Sequence, residues 1–147
     1  MYNGLLHLHN LLRWVILLLL LISIFQAFSK SRGLTRTSLF LVISAHLTFV
    51  LGVYQWITSP TVGLSILKRM DYNFGAVMKD AFARFWVVEH FAGMLIAIVL
   101  ITIGRAKAKR LKHMPAAWLF LIALLIILAV VPWPFRPGIG RPWFPGM

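Results

Sequence analysis

The sequence contains no cysteine, which excludes disulfides and thiolate metal sites. It is almost as poor in acids, with three Asp and Glu residues in 147 against fifteen Lys and Arg. So few carboxylates leave no paired acids for hydrolysis and no serine–histidine–acid set, and no phosphate-cradling glycine loop is present. The chain therefore reads as a carrier or subunit before a stand-alone enzyme. Repeats and low-complexity tracts are also missing. The formal charge of +12 does not point to nucleic acid. The basic residues sit mostly in short runs abutting apolar segments, the pattern of helix ends anchored at an anionic lipid surface.

What fills the chain instead is apolar. Hydrophobic residues make up 61% and the mean hydropathy is +0.87, values of a polytopic membrane protein and too apolar for a soluble domain of this size. Four runs have the length and apolarity of membrane spans, at about 5–28, 38–58, 85–104 and 116–131. Ser59 and Pro60 stop the second, Pro115 opens the fourth in its first turn, and Pro132 and Pro134 close it. The first run is long, lacks a basic leader and is followed by a poor cleavage site, so it reads as a retained span. The expectation is one domain over 1–147, an all-α integral membrane four-helix bundle in contact with the lipid bilayer.

The loops suggest an orientation. Lys30, Arg32 and Arg36 lie between spans one and two, and Arg105, Lys107, Lys109, Arg110 and Lys112 between spans three and four, with no acid in either loop. By the positive-inside rule both termini fall outside the cytoplasm. The long link between spans two and three places Ile66, Leu67, Met70, Phe74, Val77, Met78 and Phe82 at three- and four-residue spacing, with charges between. It predicts an amphipathic helix over 64–83 lying on the outer surface. The tail is too rich in proline for a helix, and its Trp133, Phe135, Trp143 and Phe144 suit the headgroup layer.

Against this background the polar groups inside the spans stand out, because an ionisable side chain at membrane depth costs at least about 2.5 kcal/mol and marks a functional site with a partner. Span one holds His7, His9 and Arg13; span two holds His46, with Ser44, Thr48 and Gln55 on roughly the opposite face; span three holds Glu89 and His90. Counting from the basic anchors at about 1.5 Å per residue puts His46 about 15 Å deep, His90 about 22 Å, Glu89 about 24 Å, Arg13 about 25 Å and His9 about 31 Å. Arg13 and Glu89 fall at one level and are expected to pair, as a structural or a functional ion pair. His7 points away from His9, toward the headgroups, and His113 is solvated in a basic loop.

Three helices thus each bring a histidine toward one bundle interior, and imidazoles on facing helices are how membrane b-type cytochromes hold haem iron. Gly93, Ala97 and Gly104 share the His90 face and leave room for a flat macrocycle, although such residues are also ordinary helix contacts in membranes. Arg13, one turn after His9, can hold propionates. The preferred ligand pair is His46 with His90, leaving His9 and Arg13 toward the outer face; His9 with His90 is the other pair that the depths allow.

The stretches LHLHNLLRW, AHLTFVLGVYQWITSP, VEHFAGMLIAIVLITIGRAKAKR and VPWPF resemble small bacterial four-span membrane proteins labelled cytochrome b-like, a likeness that touches all four spans. The resemblance implies one non-covalent haem b in the bacterial inner membrane, with His9, His46 and His90 at the family's histidine positions. The functional expectation is a respiratory electron carrier serving a quinone or the subunits of a larger complex, alone or as a homo-oligomer, in which Glu89 orients a ligand or accepts a proton. Two other readings remain open: a non-redox accessory or scaffold subunit, and a proton or metal-ion carrier stepping through His9, His46, His90 and Glu89.

Overall fold

In the computed structural model, residues 2–144 are described, and they contain helices and no strand. Four helical stretches are long and apolar enough to cross a membrane. They comprise α1 (Tyr2–Phe28), α2 (Leu34–Thr58), a third span running Ala81–Lys109, and α7 (His113–Val130). Between α2 and the third span lie two short helices, α3 (Leu64–Arg69) and α4 (Phe74–Lys79). The third span is itself composite: α5 (Ala81–Arg84), a π turn over Phe85–Glu89, then α6 (His90–Lys109).

The helices pack as a ring, α1 on α2, α2 on α6, α6 on α7 and α7 on α1, so α1 faces α6 across the bundle's diagonal. Two hairpin loops close one end with the same chemistry. After α1, Lys30 takes a positive φ of 54° and Ser31 N–H donates back to Gln26 O; after α6, Leu111 at 55° lets Lys112 N–H donate to Lys107 O. Both are αL helix terminations, which satisfy the last carbonyls of the helix. Arg105 then ties the same end together, its Nη1 donating to Thr35 O at 2.9 Å and to the buried Ser38 Oγ at 3.3 Å.

The half of the bundle near these basic loops is tightly filled. Leu20, Leu34, Leu41, Ile101 and Phe120 are fully buried, and small residues let the backbones approach. A Cβ on Gly104 would sit 2.7 Å from the Phe120 ring; in the tail-side half, one on Gly93 would sit 2.5 Å from Val130 Cγ1. Both glycines thus seat α6 on α7, which corrects the expectation that Gly93 and Gly104 leave room for a macrocycle and matches the helix-contact reading. Outward, Phe25, Leu18 and Val50 are 74%, 59% and 64% exposed. A ring of large exposed apolar side chains belongs in a lipid bilayer.

Two departures from expectation, among several shifted helix ends, have readable reasons. The segment over 64–83 is not one helix: Asp71 and Tyr72 adopt positive φ and Asn73 Oδ1 accepts from Ala76 N–H to start α4 afresh, so the chain turns at Met70–Asn73. Asp80 Oδ1 likewise accepts from Ala83 N–H at 2.7 Å and starts the third span early. At the same end of the bundle the non-helical tail folds over the helices. Trp133 Nε1 donates to Leu128 O and Arg136 Nη1 to Ala129 O, capping the open carbonyls at the C-terminus of α7. Trp14 then packs against the Trp133, Trp143 and Phe144 rings at 5.9–6.2 Å.

Candidate functional site

A cavity of about 420 Å³ opens in the tail-side half of the bundle, within the usual size range for small-molecule and cofactor sites. Its floor is Ile16, Ala45, Ile101 and Ile127, one residue from each spanning helix, and its roof is Trp86 with Pro132, Arg141 and Pro142 of the tail. His9, Asn10 and Arg13 line it from α1, Thr48, Gly52 and Gln55 from α2, and His90 and Ala97 from α6. The walls are mainly apolar with a few converging polar groups, the composition of a ligand site.

The two histidines reach this cavity from diagonal helices. His90 is fixed by the last carbonyl of α7: Nδ1 lies 2.8 Å from Val130 O. A carbonyl only accepts, so Nδ1 carries the proton and Nε2 keeps its lone pair. Orientation of a histidine by a main-chain carbonyl is a familiar companion of metal ligation. Among the described residues nothing donates to that Nε2. His9 is held against α2 by the absence of a side chain at Gly52, where a Cβ would stand 3.1 Å from His9 Cε1. Its Nδ1 is buried without a hydrogen-bond partner. The Asn10 Oδ1, Arg13 Nε and Trp86 Nε1 atoms share that condition. Buried polar atoms normally find partners, and these four unpartnered ones belong to residues that line one cavity.

His46 is not part of this arrangement. It lies on the exposed face of α2, with Nδ1 turned back to Val42 O at 2.8 Å. The expected facing of His46 and His90 is therefore corrected to His9 and His90. The residues of α2 that do face the interior are Ala45, Thr48 and Gln55, all buried, and Gln55 Nε2 bridges to Leu5 O of α1 at 3.0 Å.

The expected Arg13–Glu89 pair is also replaced. Glu89 Oε1 accepts from Arg84 Nε at 2.7 Å, with both side chains more than a third exposed. The π turn is the cause. Residues five apart lie about 140° apart round an α-helix, but the wider i→i+5 turn brings them to neighbouring positions. His90 N–H does donate to Phe85 O, five residues back. Arg13 instead gives Nη2–H to Trp143 O at 2.9 Å and stacks at 5.0 Å on Trp14 and 5.8 Å on Trp133.

Trp86 and Arg141 are the site residues that span-by-span reading missed. Arg141 sits 5.1 Å over the Trp86 ring, and its signal in the sequence was a cation within an aromatic, proline-rich tail. His7 is exposed, as expected, and Ala97 is fully buried at the cavity wall. Among the described residues no three of His, Asp and Glu gather closely enough to hold a bare metal ion. No protein-family model, curated protein or solved structure matches the chain.

Proposed function

We propose that the protein is a b-type haem-binding membrane protein that takes part in electron transfer, and that His9 and His90 are the residues that would hold the haem. One observation carries this reading: two imidazoles from diagonally opposed helices line the same apolar cavity, and Val130 O holds one of them with its lone pair free. The donor set suits haem, because a porphyrin provides four nitrogens itself and asks the protein for two. When bound, haem would supply one-electron chemistry.

The chain's own residues have separable tasks. Val130 O fixes the His90 tautomer, and Gly52 gives the His9 ring its place against α2. Ala97, Ile101 and Ile127 keep the interior dry, which with the imidazoles would set the potential. Arg13 provides positive charge at the tail-side end. Glu89, paired with Arg84, has no direct part. Proton or metal-ion carriage is less well supported, since Glu89 and His46 are turned away from His9 and His90. In this proposal the carrier sits in the bacterial inner membrane and exchanges electrons with a quinone or a respiratory complex.

The test is haem loading of the detergent-purified chain and its alanine variants, followed by visible absorption. We expect a Soret band in the wild type, retained in His46→Ala and lost in His9→Ala. A colourless wild type, or a loss in His46→Ala with His9→Ala unaffected, would contradict the assignment.

A further inference from the structure

Arg13 and Arg141 come from opposite ends of the chain to the tail-side end of one cavity. Neither has an acidic partner among the described residues. Of the three acids, Glu89 forms the single ion pair among the described residues, with Arg84, and Asp80 caps α5 through Ala83 N–H. Asp71 lies in the turn after α3. A guanidinium has five N–H donors. Arg13 gives one to Trp143 O, while its buried Nε–H has no acceptor among the described residues. Two cations at the rim of an apolar cavity, with donors to spare, call for an anion, and a guanidinium's planar fork suits a carboxylate best.

We infer that Arg13 and Arg141 form a carboxylate-binding rim, so that the cavity takes an amphipathic acid whose apolar body lies among Ala97, Ile101 and Ile127 and whose acid group lies under the tail. This deepens the haem proposal in one respect, since haem carries two propionates for two arginines. A long-chain fatty acid is the other source of the same chemistry. Because Arg141 is carried by the tail and Trp143 O already holds Arg13, the acid group competes with that carbonyl, and tail and ligand meet at one guanidinium.

The experiment compares acids with their esters on the full chain in detergent: ferric haem against its dimethyl ester, and oleate against methyl oleate. Wild type, Arg141→Gln and Arg13→Gln are each titrated by tryptophan quenching, with helicity checked by circular dichroism. Charge-assisted hydrogen bonds predict that an acid binds about tenfold or more tightly than its ester in the wild type, with the gap closing in Arg141→Gln. A preference for haem over its ester assigns the rim to propionates. A preference confined to oleate supports the rim while removing the haem reading. Equal binding of acid and ester, no binding of either acid, or a gap unchanged in Arg141→Gln would overturn the inference. Arg141 lies outside the spanning helices, so its variant keeps the test decisive if Arg13→Gln fails to fold.

Discussion

Replacing His90 with alanine is expected to abolish haem loading, with affinity falling at least about a hundredfold, since even supporting partners of metal ligands are worth ten- to a hundredfold. The effect has two parts. The substitution removes the nitrogen that faces the cavity, and it leaves Val130 O, at the end of α7, without its 2.8 Å donor. A part-buried carbonyl stripped of its partner costs up to the about 1–3 kcal/mol of a fully buried one. His90→Ala should therefore lower thermal stability in the absence of haem as well. His90→Gln separates the parts: its amide can donate toward Val130 O and restore some stability, while haem loading remains lost. Absorption and thermal unfolding of the two variants, measured together, check both halves. Haem loading at the wild-type level in His90→Ala would refute the role.

The second large effect is expected at Gly93. A Cβ there would lie 2.5 Å from Val130 Cγ1, and 3.0 Å from Cγ2, so alanine forces α6 and α7 apart where they pack most closely. Overpacking of this kind costs about 1–3 kcal/mol. The displaced residue is the one whose carbonyl orients His90, so Gly93→Ala should lower stability and weaken haem binding together. Val130→Ala removes the methyl groups that the new side chain meets while keeping the carbonyl. The double variant Gly93→Ala with Val130→Ala is expected to recover much of both losses. A thermal melt and a haem titration of the four combinations form the cycle. Independent, additive effects would show that Gly93 and Val130 are not coupled as described.

These outcomes also mark what was legible in the sequence. The four spans followed from apolar length alone, because lipid imposes a near-continuous apolar helix of fixed minimum length. His90 and His9 were both visible as intramembrane imidazoles at the same end. The side-chain directions were harder. Depth counting fixes height along a helix and leaves rotation open, and rotation is what sent His46 outward. The information lay in its neighbours: Thr48 and Gln55, noted on the opposite face, are the buried ones. Glu89 failed for a different reason. Nothing in FWVVE announces a π turn, yet that turn shifts the phase of every residue before it and brings Arg84 within 2.7 Å of Glu89. Glycines carried an ambiguous signal too, since close helix contact and open space for a ligand demand the same small residue. Gly93 proved to be the first, while Gly52 accommodates the His9 ring.

The tail escaped a span-by-span reading because its order comes from tertiary contacts. Pro132 and Pro134 rule out a helix, and the remaining backbone is fixed by Trp133 and Arg136 capping α7 and by Trp14 stacking under Trp143. Only once that fold exists does Arg141 reach the cavity. The cavity is therefore assembled late in the chain of causes: apolar length sets the spans, small residues set their spacing, and the tail closes what the spacing leaves open.

The most direct measurement of the central claim is the electron paramagnetic resonance spectrum of the haem-loaded ferric protein. Two imidazoles on one iron predict a low-spin signal in the wild type and in His46→Ala, vanishing with the bound haem in His9→Ala and in His90→Ala. A high-spin wild type, or a low-spin signal that survives the loss of His9, would contradict the account.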